Sequence, residues 1–231
     1  GAPRQLAELE RRLLATHPGP RLARGRQDHA KLVARGEAAI RRTLERRRAE
    51  LGRLGAQLHA LSPLAVLFLV GYSYTKRVTW LSHWILGFTD GIAAAGGWIA
   101  VRETFDPPVF ILWFALTVWI AGFDLIYACQ DVDFDRAEGL HSVPARFGVA
   151  AALHAAKACH VLTVGAFSAL GAVMGLGVLY WVGVLVVAGL LVYEHSLVSP
   201  TDLSRLDMAF FNVNGYISVI LLAAVLAGRW A

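Results

Sequence analysis

From Leu61 onward the chain is a succession of apolar runs too long for the interior of a soluble domain, and these runs decide what it can fold into. The longest, VLTVGAFSALGAVMGLGVLYWVGVLVVAGLLVY (161–193), holds no charged residue. VFILWFALTVWIAGF (109–123) and MAFFNVNGYISVILLAAVLAG (208–228) are of the same kind. A helix needs roughly 20 mostly apolar residues to cross a bilayer. In lipid, helices satisfy their own backbone hydrogen bonds, which loops and open strands do not. The sequence therefore predicts an all-α protein, a multi-span transmembrane helical bundle of about six spans, near 60–75, 80–101, 108–129, 148–170, 172–193 and 208–228. The first of these is short, with its clearly apolar part confined to 61–72. Trp80, Trp84, Trp98, Trp181, Tyr193 and Trp230 fall near the expected span ends, where interfacial aromatics gather.

Charge divides the chain in two. Residues 1–60 hold 14 Lys and Arg against 6 Asp and Glu, whereas residues 61–231 hold 8 against 11. The overall net charge of +5 thus describes neither part, and nucleic-acid binding is not expected of residues 61–231. Residues 1–60 read as a basic, coiled-coil-like helical segment, and 61–231 as the membrane domain. Leu6, Leu9, Leu13 and then Leu44, Leu51, Leu54, Leu58 recur at helical spacings among Arg and Glu. HPGPR (17–21) separates a helix over 4–17 from one over 26–60, giving a charged helical hairpin or coiled coil. No aromatic residue interleaves the basic ones, as a single-strand nucleic-acid surface would require. The basic N-terminus leads into no compact apolar stretch of the signal-peptide kind. Cys129 and Cys159 have no second Cys or His at ligand spacing, which argues against a zinc site or a disulfide.

The chemistry gathers in DLIYACQDVDFDRAEG (124–139), where five of sixteen residues are acidic at the end of an apolar run. On one helix over 108–135, Asp124, Tyr127, Asp131 and Asp135 are separated by three, four and four residues and share a face; Asp133 falls off it. Like charges on one face repel unless a cation lies among them. Mg2+ suits such a place, since it takes one or two carboxylates and completes its shell with water and substrate phosphates. Asp131 and Asp135 are its candidate ligands. A Ca2+ loop is excluded because its glycine and terminal glutamate are missing. Asp124, deeper in the helix, and Tyr127 are the candidate catalytic residues. His83, His154, His160 and His195 share no spacing and read as ordinary. Asn212 and Asn214 read as interhelical hydrogen-bonding residues. Gly96, Gly97 and the glycines at 171, 175 and 177 read as sites of close helix packing.

Two resemblances follow. YSYTKRVTWLSHWILG (72–87) and FDLIYACQDVDFDRAEGLHSVPARFG (123–148) resemble the UbiA family of intramembrane prenyltransferases, in particular the 4-hydroxybenzoate polyprenyltransferase branch, from about residue 61 to 230. The order D-x-x-Y-A-x-x-D-x-x-x-D-x-x-x-G-x-x-S-x-P carries most of the specificity. The resemblance implies attack of an aromatic acid acceptor, 4-hydroxybenzoate-like, on the allylic carbon of a polyprenyl diphosphate, in quinone biosynthesis. An acceptor of another kind, such as a naphthoate or a sugar, is compatible with the same residues. It implies diphosphate contacts from Lys76 and Tyr72; Arg77 reads either as a further contact or as a positive-inside anchor. Residues 1–67, on the stretch 9–67, are similar to the C-terminal coiled coil of the exodeoxyribonuclease VII large subunit. That implies a scaffold for a helical partner of residues 1–60.

The two resemblances meet at LSPLAVLFLVGYS (61–73), which reads as a junction of two fragments. The UbiA family also carries an earlier Asn-Asp-x-x-Asp motif, and nothing like it precedes Asp124. About three family helices are therefore missing, and the chain alone is expected to be inactive. Placing Lys76, Arg77, Arg136, Arg146 and Arg205 inside, with Arg102 and Arg229 outside, sets the aspartates on the cytoplasmic side of a bacterial inner (plasma) membrane. The basic segment before the first span then lies outside, against the same rule.

Overall fold

The computed structural model describes residues 2–16, 18–102 and 104–228. Its regular elements are all helical, and the described residues contain no strand beyond an isolated pairing of Ser199 with Asp202. Two compact units are present, Gly1–Gln57 and Leu58–Ala231.

In the first unit, α1 (Ala2–Thr16) ends one residue before α2 (Pro18–Thr75) begins. The expected break over HPGPR is thus shorter than predicted. Pro18 and Pro20 lie in the first turn of α2, where a missing N–H costs no helical bond. His17 lies outside the described residues. Leu6, Leu9, Leu32, Ile40 and Leu44 are all more than half exposed. The side chains of Leu13, Leu51, Leu54 and Leu58, the rest of the expected stripe, lie outside the described residues.

The second unit holds α3 (Ser82–Arg102), α4 (Pro107–Tyr127), a 3₁₀ turn (Ala128–Asp131), α5 (Val132–Ala137), α6 (Val143–Phe147), α7 (Val149–Met174), α8 (Val178–Ser196), a π-helical turn (Met208–Val213) and α9 (Asn214–Gly228). Five stretches are long and apolar enough to cross a membrane: Ser82–Arg102, Pro107–Ala137, Val149–Met174, Val178–Ser196 and Met208–Gly228. The expected first span is represented among the described residues by the shorter apolar stretch Val66–Thr75. Ten helical residues rise about 15 Å, half the hydrocarbon thickness.

Local chemistry sets the ends of these helices. Pro107 and Pro108 open α4 behind Asp106, whose carboxylate accepts from Trp98 Nε1 (2.8 Å) and lies 3.6 Å from Arg102. Gly175 takes φ of 61° and closes α7, with Leu176 N–H donating back to Gly171 (3.0 Å). Small residues then fix the helix packing. A Cβ on Gly87 would lie 2.2 Å from the Thr117 carbonyl oxygen, so α3 and α4 meet backbone to backbone there. Gly171 and Gly228 receive the Tyr180 side chain, whose hydroxyl donates to the Phe167 carbonyl (2.7 Å). Gly96 and Gly97, expected at a packing site, have nothing within 4 Å.

The main core joins α4, α7, α8 and α9 through Leu125, Ile126, Ala152, Ala156, Val187 and Ile217. Large apolar side chains such as Val161, Leu185, Val192 and Val219 point outward, more than two-thirds exposed. That is the inverse of a soluble surface, and it suits a lipid solvent. Asn214 takes the interhelical role expected of it, accepting from Trp119 Nε1 (3.1 Å) and donating to the Phe210 carbonyl (2.8 Å).

Candidate functional site

The acidic motif begins where α4 gives way. Residues 108–135 were expected to form one helix, but Ala128–Asp131 tighten into a 3₁₀ turn before α5 resumes. Each 3₁₀ residue turns the chain about 120° rather than 100°, so four of them add roughly 80° of rotation. The single acidic face is therefore divided. Asp124 and Tyr127 stay with α4, while Asp131 caps α5 and Asp135 lies within it.

The two parts meet different partners. Asp135 is 2% exposed, and its Oδ2 lies 3.8 Å from Lys76 Nζ, just past the end of α2. That same oxygen receives no hydrogen bond. The Lys76 carbonyl accepts the His141 N–H (2.5 Å), which ties the loop after α5 to the lysine's backbone. Asp131 is half-buried, and Asp133 is exposed. The motif's loop is held by Ser142, whose hydroxyl accepts from Ala145 N–H (3.3 Å), and by Arg136, which donates to the Ala145 carbonyl (3.1 Å).

Asp124 turns to α3 instead. Its Oδ2 lies 2.6 Å from Nδ1 of His83, a side chain with no exposure. His83 Nε2 accepts the Val143 N–H (3.3 Å) at the start of α6. A nitrogen that accepts cannot carry the proton, so Nδ1 carries it and donates to Asp124. The histidine thus links three elements: α3, α4 and α6. Sequence reading passed over it because its partner is 41 residues away. The available signal was a titratable side chain at the start of an apolar run, which in a membrane is seldom idle. Tyr127 stacks on Phe210 (centroids 4.1 Å apart) and meets Phe211 edge-on, which ties it to the π-helical turn.

Of the expected diphosphate contacts, only Lys76 is brought to a carboxylate. Tyr72 is half-buried on α2. Arg77 is exposed, its guanidinium 6.0 Å from the Tyr74 ring centre. Among the described residues no three His, Cys, Asp or Glu side chains converge to hold a metal. A divalent ion here would complete its shell with oxygens other than the protein's. The buried, undonated Asp135 oxygen and the hard-oxygen chemistry of Asp131 and Asp135 fit such an ion. His160 and His195, read as ordinary, are also paired, at 3.0 Å, elsewhere in the bundle.

An all-helical bundle of membrane-crossing length, with a buried carboxylate and a lysine where its helices break, defines a class of intramembrane protein that handles charged groups at its edge. Residues 52–216 match the UbiA prenyltransferase family, and the chain belongs to that family. The 4-hydroxybenzoate solanesyltransferase of Synechocystis sp. is 32% identical over 165 residues, covering 71% of this chain and 56% of that protein. The mitochondrial 4-hydroxybenzoate polyprenyltransferase of Homo sapiens is 36% identical over 90 residues, covering 38% of this chain and 24% of that one. The apo structure of a UbiA homolog from Aeropyrum pernix K1 superposes with a TM-score of 0.64 at 32% identity, covering 73% of this chain and 62% of that one. A structure concerned with digeranylgeranylglyceryl phosphate synthase in membranes shares the fold, with a TM-score of 0.57 at 22% identity, covering 73% and 60%. The chain spans about a quarter to just over half the length of these curated relatives. The exodeoxyribonuclease VII resemblance gains no support; the family match already begins at residue 52, inside that stretch.

Proposed function

We propose that this chain takes part in transfer of a polyprenyl group from an allylic diphosphate to an aromatic acid, 4-hydroxybenzoate-like, in quinone biosynthesis. The observation that carries the reading is the Asp135–Lys76 pair, a buried carboxylate and a cation at the edge of the bundle, within the family match. The curated relatives named for 4-hydroxybenzoate support the acceptor class. Residues 61–231 supply the second aspartate motif of this activity, which is incomplete in this chain without the first, and residues 1–60 form a separate basic segment.

In the reaction, a ring carbon of the acceptor bonds to the allylic carbon as the carbon–oxygen bond to diphosphate breaks, and the ring then loses a proton. Negative charge grows on the leaving group. Lys76, with Tyr72 and Arg77 near the same helix end, meets that charge from a backbone position held by the His141 N–H bond. Asp131 and Asp135 would hold Mg2+, which when bound supplies Lewis-acid neutralisation of the diphosphate. Asp124, held by His83, presents a carboxylate about two turns deeper than Asp131, where it steadies positive charge on the allylic fragment or accepts the ring proton. Lipid-facing helices keep water from the allylic cation, limiting hydrolysis. The excess of Lys76, Arg77, Arg136, Arg146 and Arg205 over Arg102 and Arg229 supports a cytoplasmic placement of the carboxylates in a bacterial inner membrane.

The test is radiolabelled prenyl transfer in membranes, with polyprenyl diphosphate, 4-hydroxybenzoate and Mg2+. The same assay is run on a full-length relative bearing the matching substitutions. Asp131→Asn and Asp135→Asn should each abolish transfer in any protein that shows it. Undiminished turnover in both would remove the assignment.

A further inference from the structure

Away from the carboxylates, α7 and α8 leave a groove between them that the prenyl-transfer reading does not use. It encloses about 630 Å³, and Val161, Val164 and Val192 line its apolar walls. Val161 and Val192 are each 72% exposed, so the groove opens outward, where lipid would lie. Its inner end is polar. His160 Nδ1 and His195 Nε2 lie 3.0 Å apart, and behind them sits the fully buried Glu194, its Oε2 3.6 Å from His160. Asn214 donates to the other Glu194 oxygen (3.3 Å), which fastens this cluster to α9. His195 Nδ1, His160 Nε2 and Glu194 Oε2 are buried atoms without a hydrogen-bond partner. Glu194 and the unpaired His160 Nε2, which lies against Gly122 of α4, sit in the helix packing behind the groove; the polar side chains that line the groove itself are Lys157, His160, His195 and Ser196.

A second cavity of about 140 Å³ adjoins the first and shares Lys157 and His195 with it. His154 and the α8–α9 connection, through Ser199 and Pro200, form its other sides. Among the described residues no Asp or Glu lines either cavity. Lys157 is exposed and forms no ion pair among the described residues. On a membrane helix such a lysine extends its stem along apolar surface and holds its ammonium toward the headgroup layer. The two spaces together have the form of one amphiphile: a long apolar slot that ends in a small, cationic, hydroxyl-bearing chamber.

We propose that this is a binding site for an anionic phospholipid, with an acyl chain in the α7–α8 groove and the phosphate at Lys157, His154 and His195. Charge complementarity selects this occupant. A zwitterionic lipid brings a cation of its own to Lys157, and an uncharged one leaves the lysine unpaired. Basic chambers between transmembrane helices are suited to anionic headgroups for the same reason. The site is independent of the carboxylate centre, so its test stands whatever reaction the chain supports.

The experiment uses the full chain in nanodiscs of phosphatidylcholine alone or with one-fifth phosphatidylglycerol, read by thermal unfolding and by lipid retention in native mass spectra. Phosphatidylglycerol should raise the unfolding midpoint and be retained. Inorganic phosphate added to phosphatidylcholine discs should do neither. Lys157→Gln should weaken phosphatidylglycerol retention about fivefold, the effect of one cation at an anionic headgroup, and leave the midpoint in phosphatidylcholine unchanged. Val161→Trp, which fills the slot without touching the charge, should also release the lipid. The proposal fails if phosphatidylglycerol gives no shift, if the shift persists undiminished in both variants, or if free phosphate reproduces it.

Discussion

Replacing His83 by alanine tests the Asp124 arrangement most directly. The substitution removes two hydrogen bonds at once: the 2.6 Å contact to Asp124 and the 3.3 Å bond from Val143 N–H. A bond to a charged group contributes about 1.5–3 kcal/mol, and a buried N–H left without a partner costs about 1–3 kcal/mol. Polar contacts between membrane helices run lower, averaging about 0.6 kcal/mol, because the unfolded helices find other partners in the bilayer. The His83 side chain has no exposure and joins three elements, so the upper range applies more than the lower, and we expect a loss of about 2–5 kcal/mol. His83→Gln keeps one donor and one acceptor on a single amide and should recover part of that loss. Reversible unfolding of the full chain in bicelles measures both variants. If His83→Ala stays within about 0.5 kcal/mol of the parent, the bonds do not stabilise the fold. If His83→Gln is as damaging as alanine, the histidine fills space and does not link hydrogen bonds.

Gly87→Ala should lower the unfolding midpoint, because its Cβ meets the Thr117 carbonyl oxygen at 2.2 Å and backbone cannot give way; about 1–3 kcal/mol is expected. Gly96→Ala, with open space around it, serves as the control and should be neutral or stabilising in the same scan. Asn214→Leu breaks the links to Trp119 and the Phe210 carbonyl and should cost about 1–2 kcal/mol by bicelle unfolding. Lys76→Met in a full-length relative should lower kcat on the order of a hundredfold with little change in the acceptor KM, as loss of one preorganised charge does; a rise in KM alone would assign the lysine to binding only.

What could be read from sequence depended on whether the cause was local. The runs at 109–123, 161–193 and 208–228 report membrane helices because span length is a property of one segment. Lys76 and Asp135 each stand out in the sequence, from two separate motifs and for different roles; that they lie 3.8 Å apart is a long-range fact no spacing gives. The helix break at Ala128–Asp131 left no mark, since neither proline nor glycine causes it. An even 100° step was therefore carried across it, and one acidic face was read where there are two. His83 and the His160–His195 pair were missed because partners 41 and 35 residues apart share no spacing. The leucine stripe of residues 1–60 states that a helix has an apolar side and nothing about what covers it; among the described residues Leu6, Leu9 and Leu44 are exposed.

The bond from His141 N–H to the Lys76 carbonyl gives the site a particular mechanical character. The cation and the acidic loop are stapled through main chain, while their charged ends remain 3.8 Å apart. In the proposed reaction an anion entering between them would meet a backbone tie and two side chains free to adjust. Lysine has a four-carbon stem and aspartate a single methylene, so the adjustment the proposal requires would fall on Lys76, leaving its resting counter-charge for the anion. The Asp135 carboxylate would then be uncovered for the proposed Mg2+, so that admission of one charge would prepare the place of the other.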